Sequence, residues 1–453
     1  MARDTVDITP LETRDQLLEA VEGGCKPKDE WRIGTEHEKF GFYKTDFSPV
    51  PYEGENGIRA LLEGMRDKTG WDPIIDAGNI IGLAATDGMG AISLEPGGQF
   101  ELSGAPLRTI HETCRESNRH LAQLREVAEP LGMGFLGLGG SPKWSFDETP
   151  QMPKSRYDIM RAYMPKVGSQ GLDMMHRTCT IQVNLDFSSE SDMRTKMQVS
   201  TKLQSVASAL FANSPFTEGQ PNGLLSWRSE IWRDTDNQRA GLHQFLMQDD
   251  LTFEKYVDWA LSCPMYFITR NGTYIDCTHI TFQQFMDGAL EGEVANEGDW
   301  TNHLGTLFPD VRLKKFLEMR GADGGPWRRI CALPALWVGL LYDDSALAEV
   351  KALTDELSFD DVRAMRDAVP THGLQAPAGK RTVLDLARDA LEISHKGLTA
   401  RGEKNDLGVD ENHFLAPLDE VATLGETQAE RLLKQFSSNW DGDIDHIFEE
   451  YAY

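Results

Sequence analysis

GTEHEKFGF, residues 34–42, is the stretch on which the reading of this chain turns. As a β-strand it places Glu36 and Glu38 on one face with Phe40 and Phe42, because successive side chains point to opposite sides. The two carboxylates then leave the backbone roughly 7 Å apart. At an effective dielectric of about 20, two such charges repel by about 2 kcal/mol before any loss of hydration is counted. Four arrangements relieve that cost: a bound hard cation, an arginine partner, a proton on one carboxylate, or a strand face open to water.

Other stretches repeat the pattern. In ISLEPGGQFELSG, residues 92–104, a strand phase points Glu95, Gln99 and Glu101 one way and Phe100 and Leu102 the other, with Pro96-Gly97-Gly98 read as a bulge. TCTIQVNLDF, residues 178–187, alternates strictly. Cys179, Ile181, Val183, Leu185 and Phe187 read as core, while Thr178, Thr180, Gln182, Asn184 and Asp186 form either a polar surface or the wall of a site. Oxygen ligands offered by neighbouring strands suit magnesium, which prefers carboxylates and keeps water or phosphate oxygens in its remaining positions. The competing reading is a polar barrel wall.

Arginines complete the set. KSRYDIM supplies Arg156, and SWRSEIWRDTDNQRAG supplies Arg228, Arg233 and Arg239 among tryptophans and acids. A planar guanidinium captures a carboxylate or phosphate through two parallel hydrogen bonds. LEMRGADGGPWRR, residues 317–329, puts Glu318 and Arg320 on one strand face ahead of a Gly-rich loop with Trp327, Arg328 and Arg329. Carboxylates for metals and arginines for anions, with no G-x-x-x-x-G-K-[ST] loop, point to a metal-bound nucleotide and a carboxylate substrate. Phosphoryl transfer uses such a site, where positioning and charge stabilisation do most of the catalysis.

Bulk properties narrow the class. The 453 residues carry 45 Lys and Arg against 72 Asp and Glu, a net charge of −27, which argues against nucleic acid or an anionic membrane as partner. No run approaches about 18 consecutive apolar residues, so no membrane span is expected. Cys25, Cys114, Cys179, Cys263, Cys277 and Cys331 form no C-x-x-C pair, and MARDTVDITPLETRDQ at the start shows no basic or apolar leader pattern. Together these lead to the expectation of a reduced, cytoplasmic protein.

Periodicity predicts helices over 10–22, 56–66, 106–130 and 190–212, strands over 31–43, 79–84, 91–102, 134–138, 178–187 and 265–276, and a helical part from about 346 to 453. With no convincing linker, the expectation is one α+β catalytic domain over 1–453, its site within about 1–345. GMGFLG, residues 132–137, matches a dinucleotide fingerprint by letters only, since a helix precedes it and a strand follows. Gly132 and Gly134 read instead as helix-ending glycines.

Taken together, these segments, with MPKVGSQGLDMMHRTCTIQVNLDFSSESDM, LFANSPFTEGQPNG and EMRGADGGPWRRICALPALWVGLLYD, resemble the glutamate–cysteine ligases of the plant-type branch shared with proteobacteria. The resemblance runs from about Trp31 to about residue 345 and on toward the C-terminus. It implies a curved antiparallel sheet, a partly open barrel surrounded by helices, like the catalytic fold of glutamine synthetase. It further implies ATP-dependent joining of the γ-carboxylate of L-glutamate to the amine of L-cysteine through γ-glutamyl phosphate, the first step of glutathione synthesis, with two or three Mg2+ ions and feedback inhibition by glutathione.

Position by position, the resemblance gives Glu36, Glu38, Glu95, Glu101 and Glu318 as metal ligands, with Gln182 where distant bacterial relatives have a metal-binding histidine. Arg156 and Arg228 match arginines that hold substrate carboxylate, Arg320 and Arg328 face the nucleotide phosphates, and Tyr266 and Trp327 wall the amino-acid pocket. Plant relatives carry two disulfides. Cys114 and Cys277 match one member of each, and the partners expected near Gly134 and Gly292 are not cysteines, so a monomer or weak homodimer without that redox switch is expected. The alternatives are a ligase coupling glutamate to another amine, and a metal-binding protein of this fold without catalysis.

Overall fold

A computed structural model describes residues 5–453. Strand β1 (Ile33–Tyr43) is the axis of the molecule because three strands pair with it, all antiparallel. Around it lie β2 (Asp72–Asp76), β3 (Asn79–Ala84), β4 (Ala91–Leu94), β5 (Phe100–Ser103), β6 (Met133–Leu136), β7 (Thr180–Leu185), β8 (Val311–Leu313) and β9 (Leu317–Asp323). The order β8-β9-β7-β1-β5-β4-β3-β2, with β6 attached to the second half of β1, gives nine antiparallel strands in a sheet whose two ends do not meet.

Alternation divides β1 by face and by half. Thr35, His37 and Lys39 point back toward helix α1 (Ile110–Ala128), and Glu36 and Glu38 point forward. Phe40 and Phe42 leave the site altogether, buried with Trp144 and Phe448 beneath the C-terminal helix His446–Glu450. On β7, Ile181, Val183 and Leu185 join the main core with helices α2 (Glu190–Leu210), α3 (Trp327–Leu341) and α4 (Val383–Arg401). Its polar set is therefore a site wall and not a solvated surface, since Thr180 and Gln182 are both buried.

The ends of α1 follow from local chemistry. Thr109 and Glu112 form a capping box that satisfies exposed backbone amides, and Gly132, in the left-handed conformation, closes the short turn that follows the helix. Gly134 does not end a helix as expected. It lies within β6 against the ring of Phe42, which leaves no room for a side chain.

Two further expectations change form. The strand over 91–102 is a hairpin, not one bulged strand: Gly98 takes φ +86°, its amide donates to the carbonyl of Glu95, and the chain reverses between β4 and β5. The strand over 265–276 is likewise a hairpin, Phe267–Arg270 against Thr273–Asp276. Among the described residues no single helix is long and apolar enough to cross a membrane. All six cysteines are free, and the thiol facing Cys114 is that of Cys331 on α3, not a position near Gly134. Cys114 therefore has a neighbouring thiol from a distant part of the chain.

Glu116 on α1 is largely enclosed, with the Ala105 amide donating to its carboxylate at 2.8 Å. Burial pushes its carboxyl up to about 7 from an ordinary 4.5. The folded chain thus holds this proton more tightly than the unfolded chain, and stability falls as pH rises from about 4.5 to about 7. Glu116→Gln keeps the accepting oxygen and removes the charge. Urea unfolding is expected to find the variant more stable than the parent at pH 8 and level with it at pH 4.

Candidate active site

Strand pairing brings the carboxylates of separate segments into one array. Glu38 lies opposite Glu101, Glu36 lies between Ser103 and Gln182, and Glu318 lies opposite Asn184. Neutral donors serve most of these groups. Glu101 accepts from Ser93 Oγ at 2.7 Å and Ser103 Oγ at 2.8 Å, Glu38 from the Thr180 amide at 2.8 Å, and Glu36 from Asn184 Nδ2 at 2.9 Å. Glu95, at the hairpin turn, meets the Tyr157 hydroxyl at 3.4 Å.

Their electrostatics follow from that company. Burial, then the charges of Glu318 and Glu101, raises the Glu36 carboxyl; burial, then Glu95 and Glu101, raises Glu38 well above the usual range. Glu318 is the opposite case. Burial pushes it up, but Arg312, Lys314 and Arg320 outweigh burial and hold it well below that range. Arg312 donates to both its oxygens at 2.7 and 2.9 Å, Lys314 approaches at 2.9 Å, and Arg320 makes a further close contact.

A cleft of about 540 Å³ opens beside Glu38 and Glu95 of this array, lined also by Tyr157, Gln182, Arg228 and Arg320. Arg320 also donates to Gln182 Oε1 at 2.6 Å, so Gln182 and Glu318 share one guanidinium. Arg228 comes from the short helix Trp227–Ile231 and donates to the Arg320 carbonyl at 2.8 Å. Arg156, at the start of the helix Arg156–Tyr163, lies in a neighbouring opening with Glu36, Ser103 and Lys154.

The remaining candidates stand apart from the cleft. Tyr266 is buried, with the Arg239 guanidinium 3.6 Å from its ring centre and Tyr163 edge-on. Trp327 and Arg328 are exposed on the first turn of α3. Arg233 pairs with Glu230 and Asp367, and Arg239 with Asp236, so neither faces the carboxylates. Arg312, Lys314 and Asn184 are the groups that sequence reasoning passed over as site residues. The signal was present for the first two: VRLKKF alternates as GTEHEKF does, and it aims Arg312 and Lys314 at one face.

Among the described residues no three acidic, His or Cys side chains converge as a ready-made metal site. The donor set nonetheless fits a hard cation. Glu36, Glu38, Glu95 and Glu101 offer carboxylate oxygens whose hydrogen bonds come from neutral groups and not from direct ion pairs.

The profile of glutamate–cysteine ligase family 2 (GCS2) matches residues 32–450. The chain belongs to that family. It is 52% identical over 453 residues to glutamate–cysteine ligase B, chloroplastic, of Oryza sativa subsp. japonica, covering 99% of this chain and 89% of that one. It is 52% identical over 444 residues to the chloroplastic glutamate–cysteine ligase of Arabidopsis thaliana, covering 97% and 83%. A solved glutamate–cysteine ligase from Francisella tularensis, in complex with AMP, superposes with a TM-score of 0.53 at 12% identity, covering 93% of this chain and 89% of that one. That likeness concerns the fold, which is the carboxylate–amine ligase fold expected from the sequence, open and not closed.

The cytoplasmic expectation is corrected at this point, because these plant members of glutamate–cysteine ligase family 2 are named chloroplastic. Free thiols and an acidic start do not distinguish one reducing compartment from another.

Glu318 holds three cations together inside the sheet. Glu318→Ala leaves them facing one another without a counter-charge. Equilibrium urea unfolding is expected to show a loss of about 3–5 kcal/mol. A loss below about 1 kcal/mol, the worth of an exposed pair, would mean that water reaches the cluster.

Proposed function

We propose that the cleft joins the γ-carboxylate of glutamate to the amine of cysteine at the expense of ATP, through γ-glutamyl phosphate. The carrying observation is the opposition of Glu38 and Glu95 to Arg228 and Arg320 across one cleft, with Glu101 paired opposite Glu38 in the sheet and Glu36 two residues before it on the same strand. Family membership supports the substrates and the use of ATP.

The four carboxylates would hold Mg2+, which when bound neutralises phosphate charge and polarises the attacked carboxylate. Gln182 and Glu318 would join that set when Arg320 turns from them toward the transferring phosphate, releasing one oxygen on each. Arg228 and Arg156 would bind the substrate carboxylates. Arg228 is already anchored, so little freedom is lost on binding. The cysteine nitrogen then bonds to the γ-carbon as the acyl–phosphate bond breaks and phosphate leaves, and no side chain need form a covalent bond. Glutathione contains the γ-glutamylcysteine unit, so the same arginines would accept it as a feedback inhibitor.

The helical part beyond about 345 belongs to the same catalytic unit on this reading, because α4 packs on α3, the helix that follows β9.

Phosphate release from ATP, Mg2+ and glutamate is expected to depend on cysteine, and to fall about a hundredfold or more in Glu38→Gln. Release stimulated by another amine instead would move the second substrate. Release unchanged in the variant would remove Glu38 from the site.

A further inference from the structure

Asp323 ends β9, three residues after Arg320, and lies wholly inside the protein. Its carboxylate accepts from the Asn213 amide at 2.8 Å, Ser214 Oγ at 2.7 Å and Ser226 Oγ at 2.8 Å. Each serine passes the connection on. Ser214 Oγ accepts from the Arg228 amide at 3.2 Å, and Ser226 Oγ, the N-cap of the short helix, accepts from the Ser229 amide at 3.1 Å. The carboxylate is therefore tied, through two hydroxyls, to the backbone of the turn that presents Arg228.

The guanidinium end of Arg228 is tied to the same strand, at the Arg320 carbonyl. One strand thus sets both ends of this arginine while carrying Glu318 and Arg320 itself. The neighbouring chain makes way for the arrangement: a Cβ on Gly139 would stand 2.3 Å from the Asp323 carboxyl carbon. A buried carboxylate without a direct ion pair is a costly way to fill space. Amide or apolar side chains would pack there at lower cost, but none could accept from all three donors at once.

We propose that Asp323 is a positioning residue, which acts through Ser214 and Ser226 to aim Arg228 at the substrate carboxylate. The proposal rests on the reading of the cleft given above. Asp323→Leu stays close to the size of the side chain and removes both accepting oxygens, so none of the three hydrogen bonds survives. Ser214→Ala with Ser226→Ala breaks the same link and leaves the carboxylate in place.

Steady-state phosphate release tests both variants. The expected result is a KM for glutamate raised about tenfold and a kcat lowered about ten- to a hundredfold, with the KM for ATP within about twofold of the parent. A lower unfolding midpoint with the glutamate KM unchanged would assign Asp323 to folding alone and overturn the proposal. If Asp323→Leu does not fold, an unchanged glutamate KM in the double serine variant overturns it equally. A parent enzyme that releases no phosphate with glutamate and cysteine would overturn the reading of the cleft as well, which separates the two failures.

Discussion

Everything in this fold is arranged around negative charge that has been taken out of bulk water without being fully paired. Glu36, Glu38, Glu95 and Glu101 stand on one side of an antiparallel sheet, where the nearest hydrogen-bond donors are hydroxyls and amides. Burial, and then the charges of neighbouring carboxylates, push the carboxyls of Glu36 and Glu38 upward, and the neutral donors do not cancel that effect. The cost of holding this charge there is carried by the large core behind the sheet, built from β7 and the helices α2, α3 and α4.

Glu318 shows the alternative solution one strand away. Arg312, Lys314 and Arg320 enclose it, and its charge is held firmly. Placing an over-compensated carboxylate beside under-compensated ones leaves Arg320 between the two, shared by Glu318 and Gln182 and facing the cleft. In this arrangement the guanidinium is held by oxygen partners on two strands at once. The reverse face of β1 carries a buried cation of its own: Lys39 lies 3.0 Å from His37 Nδ1, and burial lowers its ammonium to about 7. The central strand is thus polar on both faces, and α1 must cover the back of it.

Much of this was legible in the alternation of residues. E-x-E at Glu36 and Glu38, the polar set of β7, and Glu318 with Arg320 each assigned side chains to a face, because a strand repeats every two residues whatever surrounds it. The limits of α1 were legible to within a few residues through its cap and its closing glycine. Other features were not. Pro96-Gly97-Gly98 looks the same in sequence whether it kinks one strand or reverses the chain, and only the pairing of β4 with β5 selects reversal. Tyr266 and Trp327 looked like pocket walls, but one is covered by Arg239 and the other faces solvent. Aromatic residues serve core, pocket and surface alike, and nothing local separates those uses.

The sequence by itself determined which residues share a face, where most of the helices and strands lie, and that carboxylates and arginines recur on strand faces; those properties depend on neighbours one to four positions away. The tertiary structure alone decided which faces meet. Glu38 and Glu101 are 63 positions apart, Asp323 and Ser214 are 109, and Arg228 and Arg320 are 92, yet each pair sets the charge or aim of a single site. Whether a carboxylate is compensated by three cations, as Glu318 is, or accepts from a backbone amide, as Glu38 does, depends on contacts made only when distant strands pair. Charge compensation acts through space over a few ångströms, and a linear pattern holds no record of that distance.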